Sequence, residues 1–544
     1  MSARHRERHG RPGARGHRAL LLWLPAALLF TLFYFYPLAR IGEYSLSGAD
    51  QDLWGVLSRP ATLRAIIFSL WQATLSTVGA LLLGLPSAYV VARYRFPARR
   101  VLTTLLAVPF VLPTVVVAAA FRAIFPDTGG NDFSSIAAII AAHVFFNTTL
   151  VVRLVGDRWQ ALHPHLEESA ATLGAAPARR FVTVTLPRLL PSVGAAAALV
   201  FIFNFTSFGT VVLLGHGRYA TVEVEIYLLT TGLFDLPAAA ILAVLQLAVT
   251  AALALLYRRI VAGHSPDSRL GSGATHRRSP QGWSERLLVA GVVVVLTTWI
   301  VGPQLLLLYR AAFAWVEDRA LFALLARLAD APAGAVRNSL IFAAATALLA
   351  LATAGPASVA AALRKGARPS PGSRLADVVS LLPLGTSAVT IGLGFVLALG
   401  FGALDLRASP VLVPLAHTLV AFPLVFRTLV VTLSSIPERL REASRTLGAT
   451  AWQTFRWLEL PLARRGVVAA TVFAFAISLG EFGATALISR PELPTMTTAI
   501  FRSLSRPGAA HQGAGLALSG VLLLVTAASV VLVERMQMGT RREW

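Results

Sequence analysis

The sequence predicts an all-α polytopic membrane protein of about twelve spans, arranged as two parallel six-helix repeats. Three observations predict this. Of 544 residues, 56% are hydrophobic and only 14% are charged, with a mean hydropathy of +0.68. A soluble chain of this length carries about 25% charge. The apolar residues fall into runs of about 20 or more, long enough to cross ~30 Å of hydrocarbon at about 1.5 Å per residue. Finally, one stretch occurs twice, 274 residues apart: Glu168-Ser169-Ala170 to Gly174 then Leu186-Pro187, and Glu442-Ala443-Ser444 to Gly448 then Leu460-Pro461. Glu to Gly is six residues and Gly to Pro thirteen in both copies. A long period with matching internal spacing marks a duplicated domain, not a solenoid.

Composition excludes several functions. With no Cys, disulfides, thiolate metal sites and cysteine catalysis are ruled out. The net charge of +22 is placed between apolar runs, so it reads as topology and not as a nucleic-acid-binding face. Lys365 is the only lysine and lies in no Gly-x-x-x-x-Gly-Lys-Ser/Thr context, so the chain does not bind ATP by that route.

Residues 1–18 form a basic segment with Arg4, Arg6, Arg8, Arg11, Arg15 and Arg18. The run from Ala19 to about Leu38 is long for a signal peptide and lacks a clear small-x-small cleavage site, so it reads as an uncleaved first span with its basic end inside. Residues 40–62 read as a polar external segment. Spans two to six are expected near 65–92, 101–125, 134–156, 191–214 and 236–257. Arg93, Arg95, Arg99 and Arg100 mark an inner loop, and the first repeated loop, about 158–190, carries Arg158, Arg179, Arg180 and Arg188. Residues 258–285, with five arginines among Gly, Ser and Pro, read as a mobile inner linker. The second repeat, 286–533, places spans near 286–309, 337–363, 375–402, 410–434, 466–488 and 513–533. Its inner loops are Arg364–Arg374 and the second repeated loop, about 435–465, and the tail 534–544 holds Arg535, Arg541 and Arg542. Twelve crossings put both termini, and both repeated loops, on the basic inner side.

The duplication extends beyond the loops. His143 pairs with His417, Arg153 with Arg427 and Phe208-Gly209 with Phe482-Gly483, all at 274 residues. Ser69-Leu70 matches Ser339-Leu340 and Pro86 matches Pro356 at 270, which places a four-residue change in the loop before the third span. An even number of spans inserts both halves the same way up, related by an axis along the membrane normal.

The repeated Glu…Gly…Leu-Pro stretch resembles the coupling loop of the permease subunits of ATP-binding-cassette importers, with Ser169 and Ser444 as small-residue departures from the paired alanines. The resemblance implies a type I permease fold in the bacterial inner membrane. It also implies a homodimeric ATPase on the cytoplasmic side, which holds the ATP and Mg, and an extracytoplasmic substrate-binding protein. This chain then needs no cofactor of its own. Each loop would be a short helix, a Gly turn and a second short helix forming a knob for a groove on the ATPase. Gly174 and Gly448 permit the turn. Ser169, Ala170, Ala443 and Ser444 allow close approach, while Glu168 and Glu442 pair with a basic partner. Leu186-Pro187 and Leu460-Pro461 stop the second short helix. Loops 215–235 and 489–512 are polar and external, placed to meet the binding protein.

Three stretches resemble the fused permease of the thiamine importer: Phe68 to Ser76, Ala142 to Asn147, and Ser207 to Val211 with Glu223 to Tyr227. Fused permeases of ferric iron importers share the duplicated plan. Gly480 to Thr485 resembles sulfate and molybdate permeases as well. Glu223, Glu225 and Glu481, near external span ends, are placed to attract a cation, and Asn147, Asn204 and Phe482 to line the path. The symmetric histidines argue for equivalent packing and not for a metal. No catalytic residue is assigned. An ion-coupled twelve-span carrier is the alternative from another class, but it does not require two matched loops. No paired acidic motif, His-Glu-x-x-His or nucleophile elbow supports a membrane enzyme.

Overall fold

A computed structural model of the chain describes residues 12–47, 53–125, 132–162, 165–262, 277–317, 332–363, 376, 378–400, 406 and 409–540. Arg4 to Arg11, Arg269, the Arg364–Arg374 loop and Arg541–Arg542 lie outside the described residues. Among the described residues ten helices are long and apolar enough to cross a membrane. Two shorter apolar helices, Thr114–Ile124 and Ala388–Leu399, stand where the sequence predicts the third and ninth spans.

Those two mark a departure from the expected continuous spans. The third span is broken into Arg99–Leu105, Val108–Val111 and Thr114–Ile124. Pro109 opens the middle piece and Pro113 caps the last. Proline lacks an N–H and restricts the residue before it, so a helix entering such a stretch restarts instead of continuing. The ninth likewise breaks within its described residues, at a 3-10 turn, Leu382–Gly385, before Ala388–Leu399. The fifth and eleventh spans also end early. Leu186–Phe205 and Leu460–Gly480 are followed by separate short helices, Gly209–Leu214 and Gly483–Ile488.

Small residues let the long helices approach closely. In the first half Ala80 and Ala88 of helix Pro60–Arg93 pack with Val151, Val155 and Trp159 of helix Asp132–Ala161. In the second, Ala347, Ala350, Ala354 and Ala357 of helix Pro332–Ala362 form a buried stripe against Leu419, Phe422, Val425 and Phe426. The leading helix of each half reaches across to the other. Trp23 meets Phe426 with ring centroids 5.6 Å apart, Phe30 meets Phe422 at 5.0 Å, and Tyr34 shares a hydrogen bond with Thr386 at 2.6 Å. Reciprocally, Leu296 and Ile300 pack with Val91, Leu102 and Val152. The first span, numbered with the first repeat, is therefore held largely by the second.

The repeat register is visible in hydrogen bonds. Val222 N–H donates to Ser69 Oγ at 2.9 Å, and Met496 N–H donates to Ser339 Oγ at 2.8 Å. These four residues correspond pairwise at the two offsets read from the sequence. They also fix two elements that the sequence presents as polar external loops. Residues Val222–Thr231 and Met496–Leu504 are instead buried helices packed among the spans. Thr221 and Thr495 cap them through N–H groups three residues on, and this capping lets polar-looking sequence enter an apolar interior.

Candidate coupling and pathway sites

Each repeated loop folds as a knob projecting from the ends of two spans. The first comprises His165–Thr172, the turn at Gly174 and Pro177–Arg180; the second Glu438–Thr446, the turn at Gly448 and Ala451–Thr454. Gly174 has φ +79° and Gly448 φ +81°, the left-handed conformation glycine adopts without steric cost. The turns close by the same pair of bonds. Ala175 N–H donates to Ala170 C=O and Gly174 N–H to Ala171 C=O, both at 3.0 Å; Ala449 donates to Ser444 at 3.1 Å and Gly448 to Arg445 at 3.0 Å. This is a Schellman closure. It pushes Leu173 and Leu447 into the open, 86% and 87% exposed. Glu168 and Glu442 are exposed on the same surfaces, and Glu168 is bonded to His165 at 2.7 Å. Ser169, Ala443 and the Gly residues are exposed, Ala170 is half-buried, and Ser444 shares a hydrogen bond with Thr454 at 2.9 Å.

The anchors beneath the knobs are not apparent in the sequence. In the first, Glu167 accepts from Arg93 of the second span and from Thr185 Oγ1, the latter at 2.7 Å. In the second, the equivalent position is Arg441, which donates to Glu459 at 2.7 Å and to Leu433 C=O at 2.9 Å. Glu459 stands where the first half has Thr185. Equivalent positions thus carry opposite charges and reach different ionic partners, Arg93 in the first half and Glu459 in the second, so a search for identical residues passes over the anchors.

The linker is docked where it rejoins the bundle. Arg95 N–H donates to Arg278 C=O at 2.9 Å, and Arg278 N–H donates to Arg93 C=O at 3.1 Å. Tyr94 and Arg278 form a parallel β-bridge, with the Arg278 guanidinium 5.2 Å from the Tyr94 ring centroid. Arg277 donates to Gln160 Oε1 at 2.5 Å. Residues 277–278 of the expected mobile linker thus clasp the first half beside Arg93, the anchor of its knob.

Leu186-Pro187 and Leu460-Pro461 do not end a helix, contrary to expectation. Each comes after a π-turn, Phe181–Thr185 or Phe455–Glu459, which carries the chain directly into the next span. Leu186 N–H donates to Phe181 C=O and Leu460 N–H to Phe455 C=O, five residues back. A proline would clash with the carbonyl four residues back in an α-helix, and the wider π-turn relieves this. The first span does the same at Thr31–Phe35, ahead of Pro37.

Between the halves lies the candidate pathway. Phe208 and Phe482, equivalent residues, stack across the pseudo-twofold axis with centroids 5.2 Å apart and planes 20° apart. Tyr227 lies 5.2 Å from Phe208, Phe501 lies 5.2 Å from Phe482, and Tyr227 and Phe501 meet at 6.4 Å. Tyr227 and Phe501 are also 274 residues apart, an aromatic match present in the sequence. Glycine next to each stacked ring allows the approach: a Cβ on Gly209 would lie 2.2 Å from Thr114 Oγ1, and one on Gly483 2.9 Å from Ala388 Cβ.

The acids expected at the external surface are buried. Glu481 uses both oxygens internally: it accepts from Ala484 N–H at 2.9 Å, Thr485 N–H at 3.1 Å and Thr485 Oγ1 at 2.6 Å, and lies 3.1 Å from His417 Nε2. Glu223 is fully buried and accepts from Gln246 Nε2 at 2.5 Å, while Glu225 is 8% exposed. Asn147 donates to Asn204 Oδ1 at 2.7 Å, and Gln72 donates to Asn204 C=O at 2.8 Å, so the asparagines tie spans together. His143 is bonded to Ser207 at 2.7 Å, and His417 to Ser478 and Thr485, both at 2.7 Å. The two histidines are hydrogen-bonding hubs at equivalent places.

Two exposed knobs on duplicated half-bundles, whose equivalent rings meet between the halves, are the design of a transport protein with internal twofold symmetry. The chain belongs to the family described as binding-protein-dependent transport system inner membrane component, which matches it twice, over residues 80–262 and 354–542. It is thus a multi-pass inner membrane permease of an ATP-binding-cassette importer. It is 30% identical over 483 residues to the thiamine transport system permease protein ThiP of Brucella suis biovar 1 (strain 1330), covering 85% of this chain and 86% of that protein. It is 25% identical to the ThiP of Escherichia coli (strain K12) over 503 residues, 90% and 92% of the two chains. The sulfate transport system permease protein CysT of Escherichia coli (strain K12) is 31% identical over 249 residues, 43% of this chain and 89% of that one.

Proposed function

We propose that this chain is the permease of a thiamine importer and that its two knobs transmit ATP-driven motion from a paired ATPase. The carrying observation is similarity to fused thiamine permeases along 85–90% of the chain; the sulfate permease, matched over 89% of its own length, corresponds to one half only. In this reading Leu173 and Leu447 enter the two grooves of a homodimeric ATPase, and Glu168 and Glu442 meet basic residues at the groove edges. Two like knobs in one chain suit two identical subunits. ATP and Mg belong to that partner. The knob face carries Arg93, Arg95, Arg179 and Arg180, so it and both termini are cytoplasmic by the positive-inside rule. The binding protein delivers cargo, thiamine or its phosphates, to the opposite face.

The test is labelled thiamine uptake in cells deleted for this gene and complemented with wild type or Glu442→Lys, with ferric iron uptake measured in parallel. Thiamine uptake restored by wild type alone supports both cargo and coupling. Loss of iron uptake on deletion, with thiamine uptake unchanged, replaces the cargo. Normal ATPase copurification and uptake in both Glu168→Lys and Glu442→Lys would remove the knobs from the mechanism.

A further inference from the structure

The four rings at the axis obey the internal symmetry, but the residue one turn before them does not. Glu223 precedes Tyr227 by four residues and Thr497 precedes Phe501 by four, so each shares a helix face with its ring. Thr497 is satisfied locally, donating to Glu481 C=O at 3.0 Å. Glu223 is not. Its Oε1 accepts from Gln246, but Oε2 accepts no hydrogen bond although the residue is fully buried. Ser387 of the opposite half lies beside this carboxyl; its oxygen accepts from Thr390 N–H at 3.2 Å, which leaves its one proton as the sole neutral donor offered there among the described residues. Gln246 Oε1 is a second buried acceptor without a donor. Buried polar atoms are normally paired, and an exception asks for a missing partner. Here the unpaired atoms are acceptors on an acid and an amide. They call for a positive charge or N–H groups, and the neighbouring ring faces also attract cations.

We propose that Glu223, Gln246 and the rings of Phe208, Tyr227, Phe482 and Phe501 form a station that takes a planar organic cation as it crosses between the halves. The charged ring lies against the aromatic faces, and N–H donors on the cargo satisfy Glu223 Oε2 and Gln246 Oε1. Glu481 is no part of it, because its oxygens are already satisfied. This inference rests on the thiamine reading, which supplies a thiazolium and an aminopyrimidine.

The experiment uses the assembled importer, this permease with its ATPase and binding protein, reconstituted in liposomes. Initial rates of radiolabelled thiamine uptake are compared for wild type, Glu223→Gln, Tyr227→Leu and Tyr227→Phe, with ATPase copurification measured for each. Glu223→Gln keeps the shape and removes the charge, and should lower uptake about tenfold, as loss of one charge-assisted contact predicts. Tyr227→Leu should also lower uptake, and Tyr227→Phe should restore it. Wild-type rates in an assembled Glu223→Gln importer would overturn the station. If Glu223→Gln fails to assemble, the Tyr227 pair decides: equal rates for Leu and Phe overturn it. Absence of thiamine uptake by wild type itself overturns the cargo reading, and this inference with it.

Discussion

At Gly174 and Gly448 the sequence spacing and the backbone agree. The spacing predicts a turn at each, and both residues have φ near +80°. A β-branched side chain in this conformation costs roughly 1–2 kcal/mol. Gly448→Val should therefore reduce ATPase copurification while leaving membrane insertion intact, as judged by membrane fractionation. The anchors beneath are hidden because the equivalent positions carry Glu167 and Arg441, residues of opposite charge. Their burial also differs. The Arg441 and Glu459 side chains are 5% and 6% exposed, that of Glu167 35%. Removing one partner from a buried pair costs about 3–5 kcal/mol, whereas a partly exposed pair contributes about 0–1 kcal/mol. Arg441→Ala should speed amide hydrogen exchange across 438–459 markedly, and Glu167→Ala should change 165–185 far less. Equal effects would mean that the anchors are equivalent.

Among the elements, the long spans are legible because apolar runs of about 20 residues are longer than the roughly 10–14 apolar residues of a buried soluble helix. The breaks are less so. Residues 101–125 and 375–402 are predominantly apolar, and mean hydropathy does not show that prolines interrupt them. The buried helices at 222–231 and 496–504 escape for the opposite reason, since threonines and glutamates look external until their caps and partners are seen. The Leu-Pro pairs are conspicuous in the sequence, but they continue a helix where their composition suggests a stop. A π-turn inserts one extra residue, which rotates the knob side of the helix by about 100° relative to the span side. Pro461→Ala removes the clash and lets Phe455–Glu459 relax to an α-helix, turning the knob away from its partner. Uptake should fall with insertion unchanged. A Leu447→Cys crosslink to the ATPase should weaken, and because the chain has no other cysteine the readout is clean.

For the molecule as a whole, duplication, parallel insertion and approximate span count are readable from the two offsets. Neither the exchange of leading helices nor the meeting of Phe208 with Phe482 is, since periodicity reports which residues correspond and not which touch. The stacked pair lies between the halves and is expected to close the path there, so replacing both rings should open it more than replacing one. In proteoliposomes the Phe208→Ala/Phe482→Ala double variant is expected to leak small cations faster than either single change, measured as dye or ion efflux. A tight double variant would place the seal elsewhere.

The clasp of residues 277–278 on residues 93–95 has a consequence for how the polypeptide can be divided. If the chain were severed between 263 and 276 and made as two pieces, the downstream piece would still carry Arg277 and Arg278. Its leading end would form the Tyr94–Arg278 bridge between separate molecules and act as a splint for the upstream piece's knob. Severed after Gln281, the upstream piece would keep the bridge within itself, and the bridge would no longer join the two pieces.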